Sequence, residues 1–145
     1  MMDTQQVELL GRNQLISELL RADLEVAIPE RDKGIDLIAY VDKDKFLARP
    51  IQLKASIGKS FSIDKKYSKF PDMIIAYVWY ANEPAKTVTY ALTYSEAIKV
   101  ADQMGWTKTT SWKSGKYVTT KPGAKLLEML KPFKMTMDKW KAHYK

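Results

Sequence analysis

Three polar side chains stand out by type and spacing: Asp36, then Gln52 and Lys54, an Asp-x15-Gln-x-Lys pattern. They sit in apolar text, Gly34-Ile-Asp36-Leu-Ile-Ala-Tyr-Val41 and Ile51-Gln52-Leu-Lys54-Ala-Ser56. Alternate side chains of a strand point to opposite faces. Asp36 therefore shares a face with Ile38 and Tyr40, and Gln52 shares one with Lys54. On adjacent strands these groups converge on one patch at the border of a core. The chemistry that suits the patch is metal-assisted phosphodiester hydrolysis. An Asp oxygen holds Mg²⁺ or Mn²⁺, hard cations that take oxygen ligands, and Gln52 offers a second oxygen. The Lys54 ammonium steadies or deprotonates the attacking water and offsets charge in the transition state. A plainer reading is equally physical: Asp36 and Lys54 form a structural ion pair at a sheet edge, since a buried lysine needs a partner, and Gln52 is an ordinary strand residue.

The elements that must position these residues are legible in the pattern. Val7, Leu10, Ile16, Leu19 and Leu20 recur at helical spacing and predict an amphipathic helix from about Thr4 to Arg21. Gly11 interrupts it, marking close packing or a break. A short strand follows at Glu25–Ile28, ended by Pro29. Gly34–Val41 and Phe46–Lys54 read as a hairpin across the polar turn Asp42–Lys45, with Pro50 a bulge or edge feature. Ala55–Pro71 is looser. Met73–Tyr80 suits a strand buried on both faces, and Thr87–Leu92 is another strand. Thr93-Tyr-Ser-Glu96 is a capping box opening a helix that ends at Gly105. Trp106–Thr119 suggests short β segments around Ser114-Gly115, Pro122 opens a helix to about Leu130, and Thr136 caps a last short one. This order predicts an α/β or α+β fold with a central mixed sheet flanked by helices.

At the residues quoted, the chain resembles the PD-(D/E)xK nuclease superfamily, which includes Holliday-junction resolvases and many restriction endonucleases. Gly11-Arg-Asn-Gln-Leu-Ile-Ser-Glu-Leu-Leu-Arg-Ala, upstream of the Asp36 and Gln52-x-Lys54 strands, shares in the resemblance, which spans roughly residues 7–56. It implies a restriction-endonuclease-like core and Mg²⁺- or Mn²⁺-dependent cleavage of DNA, with Asp36 and Gln52 on the metal and Lys54 at the water. It also admits a homodimer, with the Trp/Met-rich C-terminal segment as an interface. Two departures matter. Gln52 stands where the family usually has a second carboxylate, which weakens the metal site. Relatives also carry a Glu on the first helix just after a glycine; that register falls on Arg12, leaving Glu18, which shares a helix face with Gln14, as the substitute acid. The plain alternatives are a solvent-facing Glu18, a simple turn for Glu30 and Asp32, and a tail residue for His143, the single histidine.

The charge is uneven. Net charge is +7, yet residues 1–105 hold 14 Lys/Arg against 15 Asp/Glu, while residues 106–145 hold 10 Lys against 2 acids. The chain thus divides into a core at 1–105 and a small basic, aromatic-rich appendage at 106–145 packed on it. Lysines interleaved with Trp106, Trp112, Tyr117, Phe133, Trp140 and Tyr144 suit phosphate neutralisation and base stacking; the competing reading is a solvated surface over core aromatics. Lys65, Lys66, Lys69, Lys113 and Lys116 are the candidate nucleic-acid contacts.

Composition narrows the classes. At 145 residues and 46% apolar content the chain supports one compact domain, not a disordered one. Without cysteine it has no disulfide scaffold, thiolate metal site or cysteine nucleophile. No apolar run is long enough to span a membrane, and the N-terminus lacks the pattern of a signal peptide, so a cytoplasmic protein is the expectation. Besides a DNA-cleaving enzyme, two readings stay open: a catalytically inactive nucleic-acid-binding module on a nuclease-like fold, and a protein-interaction module docking through the C-terminal aromatics. Attachment to a membrane surface through the short lysine-rich stretches ranks last.

Overall fold

The computed structural model describes residues 2–145. Helix α1 spans Thr4–Arg21 and is opened by a capping box: Asp3 accepts from the Gln6 N–H at 2.9 Å, and Gln6 accepts from the Asp3 N–H at 2.8 Å. Strands β1 (Glu25–Ala27), β2 (Leu37–Asp42), β3 (Phe46–Ala55), β5 (Ile74–Trp79) and β6 (Val88–Thr93) form a mixed sheet in that spatial order. All neighbours are antiparallel except β3 and β5, which run parallel from Ile51↔Ile74 to Ala55↔Val78. The fold is α+β, a five-stranded mixed sheet flanked by helices.

A core lies on each face of the sheet. On one, Leu15 and Leu19 of α1 pack over Leu37, Ala39, Ile51, Leu53, Ile74 and Val78. On the other, Ile75, Tyr77 and Trp79 meet helix α2 (Tyr94–Gln103) and the strand β4 (Phe61–Asp64). This makes β5 buried along its whole length, as its unbroken apolar run requires. Helix α2 starts on the predicted capping box, Thr93 with Glu96.

Gly11 marks close packing. A Cβ there would stand 2.4 Å from the Cβ of Ala55, so only glycine lets α1 settle onto β3. Pro50 forms no bulge; it faces Ile38 in unbroken register, one residue before β5 joins β3.

Two segments differ from expectation. The loose stretch contains β4 and a 3-10 turn at Lys65–Lys69; β4 pairs antiparallel with β7 (Lys116–Thr119), outside the main sheet. Residues 106–115 form no strand but a 3-10 turn at Trp106–Lys108 and a single helical turn, α3 (Thr110–Lys113), which Thr109 caps by accepting from the Trp112 N–H. Helices α4 (Ala124–Leu130) and α5 (Met137–Ala142) complete the chain.

The lysine-rich region from 106 onward packs into both cores. Trp140 and Tyr144 join the α1 side, while Trp106, Trp112, Leu126 and Leu130 join the other. Trp106 is 6%, Trp112 8% and Trp140 1% exposed, so these rings are core and form neither a base-stacking platform nor an intersubunit surface. Among the described residues no helix is long and apolar enough to cross a membrane.

Candidate active site

β3 outruns its hairpin partner. Pairing with β2 ends at Leu37↔Ile51, while β3 continues to Ala55 beside β5. Where β2 has not yet begun, the chain turns through Gly34, at φ 93°, with Asp32 accepting from the Gly34 N–H at 3.0 Å. Asp36 follows this turn. Its own N–H donates to Ile51 O at 3.0 Å, and its carboxylate accepts from the Leu53 N–H at 2.6 Å. The carboxylate thus takes the place of a missing strand, and the divergence leaves a cleft of about 410 Å³.

Asp36, Gln52 and Lys54 all line this cleft, with Thr4, Val7 and Glu8 of α1, Asp32 from the turn, and Ser56, Ser60 and Ser62 on the far wall. No ion pair joins Asp36 to Lys54 among the described residues. Lys54 instead rests its ammonium 5.2 Å from the centre of the Tyr67 ring, the same ring that Lys66 approaches at 5.2 Å. Gln52 donates from Nε2 to Leu53 O at 3.4 Å, but its Oε1 is buried without any hydrogen-bond partner. An orphaned buried acceptor carries a desolvation penalty that a ligand at this position would relieve.

The electrostatics point the same way. Burial raises the Asp36 carboxyl above its ordinary pKa, and the Leu53 N–H bond only opposes this in part. The charges of Asp32 and Glu8 push it further up, against the Arg12 guanidinium. A cleft that disfavours its own carboxylate charge gains from a cation.

Glu8, which the sequence did not single out, lines the cleft. Arg12 does not enter the cleft wall; it reaches back one turn to Glu8, Nη2 to Oε1 at 3.3 Å. Glu8, one turn before Arg12, is the α1 carboxylate in the cleft lining. Glu18 is brought elsewhere. Ten residues along a helix is about 15 Å, and Glu18 lines a separate hollow of about 280 Å³ between α1, β6 and α5. There it accepts from Thr89 Oγ1 at 2.5 Å, Gln14 Nε2 at 3.0 Å and Trp140 Nε1 at 3.2 Å. Its role is to tie three elements together, and it does not complete the Asp36 site. Glu30 stands outside the cleft lining. His143 packs on Arg49, whose Nη1 lies 3.2 Å from its Nδ1; burial first, then the Arg49 charge, lowers its pKa.

The candidate lysines form one exposed wing beside the cleft. Lys65 donates its N–H to Gly115 O at 2.9 Å and lays its ammonium 5.0 Å from the Trp112 ring centre. Asp64 faces Lys116 across the β4–β7 ladder. The Lys65–Lys69 turn therefore meets the segment of Lys113 and Lys116 through Lys65, although about fifty residues separate them in sequence.

Among the described residues, no three Asp, Glu, His or Cys side chains close on one point as a ready metal cluster. Glu8 is turned to Arg12 and Asp32 to Gly34. The cleft nonetheless offers a hard cation oxygen donors: the Asp36 carboxylate and the free Gln52 Oε1, with Asp32 and Glu8 also in its lining. Comparison with protein-family models, curated proteins and solved structures finds no match for this chain.

Proposed function

We propose that this chain is a divalent-metal-dependent nuclease of the PD-(D/E)xK type that hydrolyses DNA phosphodiester bonds, and that its α1–sheet unit is a restriction-endonuclease-like core. The observation that carries the reading is the meeting of Asp36, Gln52 and Lys54 in one open cleft, with the Gln52 Oε1 buried and partnerless. Asp36 and Gln52 would hold Mg²⁺ or Mn²⁺, with Asp32 and Glu8 the other carboxylates in the cleft lining. The ion, when bound, supplies Lewis-acid polarisation of the phosphate and a lowered pKa for bound water.

The chain's own residues do the rest. The Leu53 N–H fixes the Asp36 carboxylate in place. Lys54, free of any carboxylate partner, is available to hold the attacking water and to offset charge developing on the phosphoryl oxygens. Water forms the new O–P bond, the bond to the leaving strand breaks, and the proton passes to the departing oxygen or to solvent. The exposed lysine wing carries the backbone phosphates flanking the cleft. Incubation with plasmid, linear and branched DNA in Mg²⁺ or Mn²⁺ tests this. The expected result is cleavage that disappears in Asp36→Ala and Lys54→Ala; cleavage identical in all three proteins contradicts it.

The turned-away Glu8, paired with Arg12, favours a second reading: a nuclease-like fold that binds nucleic acid without cutting it. That protein binds DNA in EDTA with steep salt dependence and shows no affinity for Mn²⁺.

A further inference from the structure

β4 is held to the main sheet by side chains. Its ladder partner is β7, and its link to β5 is two buried aromatic donors: Tyr77 Oη donates to Ser62 O at 2.5 Å, and Trp79 Nε1 donates to Ser60 O at 2.6 Å. Phe61 and Ile63 point into the core, fully buried. Strand alternation turns Ser60 and Ser62 the other way, and both line the cleft that holds Asp36 and Lys54. Ser56, on the same wall, donates its hydroxyl to Gly58 O at 2.7 Å. The hydroxyls of Ser60 and Ser62 have no such partner among the described residues, although their backbone is pinned from behind.

The geometry points to Ser60 and Ser62 as a phosphate rail, two hydroxyls that donate to non-bridging oxygens of successive phosphates on one nucleic-acid strand lying along β4. The inference rests on the nuclease reading and deepens it. Side chains two residues apart on a strand stand about 6.6–6.8 Å apart, comparable to the separation of neighbouring phosphates along one strand. The rail leads from Lys54 toward Lys65 and Lys66. The intervening Asp64 carboxylate is engaged at home, accepting from the Lys66 N–H at 3.0 Å. Neutral donors suit this stretch for a physical reason: further ammonium groups beside Asp36 would compete with a divalent cation for its carboxylate, whereas hydroxyls grip phosphate without doing so.

Neutral donors also leave a signature. A lysine–phosphate contact releases counterions and steepens the salt dependence of binding; a hydroxyl contact does not. The test is the anisotropy of a labelled short duplex in EDTA, titrated with Asp36→Asn protein so that binding is read without turnover. Adding Ser60→Ala and Ser62→Ala weakens binding about tenfold at an unchanged slope of log affinity against log salt. Threonine at both positions restores binding. Lys65→Ala with Lys66→Ala weakens binding and flattens the slope by about 1.8. Thermal melting of each variant, expected to match the parent, checks the fold. A serine pair that binds as tightly as its parent, a loss that threonine leaves unrestored, or a loss that flattens the slope overturns the rail. A parent that binds no duplex at low salt, either in EDTA or with Ca²⁺ in place of Mg²⁺, overturns the nuclease reading itself, and this is seen before any serine is changed.

Discussion

Helix α1 presents carboxylates to two hollows, and the two are opposites. At Glu18 the neighbours are donors: Thr89, Gln14 and Trp140 all bond one side chain, and nothing buried there is left over. At Asp36 the neighbours are a further two acids, Glu8 and Asp32, whose charges outweigh that of the Arg12 guanidinium, a single backbone N–H and an amide oxygen without a partner. The first arrangement is complete and holds three elements together. The second is incomplete within the chain, and incompleteness is what a binding or catalytic site looks like before its ligand arrives. An acid's presence in a hollow therefore says little; what its neighbours leave unsatisfied says more.

Substitutions sharpen that contrast. The largest effect is on activity: Lys54→Ala lowers DNA cleavage by about 10²–10⁴-fold in a steady-state assay, while Glu18→Gln leaves it within a few-fold. Stability reverses the ranking. Glu18→Ala strands the buried Trp140 Nε1 and Thr89 hydroxyl and costs about 2–3 kcal/mol, read from the midpoint of urea unfolding. Gly11→Ala drives a methyl into Ala55 and costs about 1–3 kcal/mol; Ala55→Gly in the same chain recovers most of it.

The smallest effect has the most informative sign. Because burial raises the Asp36 pKa, the folded protein holds that proton more tightly than the unfolded chain. Wild-type stability relative to Asp36→Asn therefore increases as pH falls through the folded pKa of Asp36. Above that pKa the asparagine variant is the more stable, since Asn still accepts from the Leu53 N–H and carries no charge. Equal melting temperatures at neutral pH, or a less stable variant, break the contrast between the two hollows.

Much of the fold was legible because its signals are local. The α1 helix, the β5 apolar run and the Thr93/Glu96 box each show in local sequence, and the structure has all three, although the buried face of α1 is Gly11, Leu15 and Leu19, while Leu10 and Leu20 of the expected stripe are exposed. The meeting of Asp36, Gln52 and Lys54 was legible too, since strand alternation and a short hairpin turn fix it. The place of Glu8 in the cleft lining was not. The phase of α1 relative to the sheet is set by Gly11 against Ala55, a tertiary contact that no helical pattern contains. β4 was hidden for a similar reason: its alternation, Phe61-Ser-Ile-Asp64, is only four residues long and its partner β7 is some fifty residues away. The aromatics of the basic segment could have been stacking platform or core; composition does not decide, and their burial does.

The central claim is that the Asp36 cleft is built to take a divalent cation. Isothermal titration of Mn²⁺ into wild type, Asp36→Asn and Glu18→Gln tests it most directly. The account predicts one site in wild type, its loss in Asp36→Asn and its retention in Glu18→Gln; no binding to wild type, or binding that survives Asp36→Asn, would contradict it.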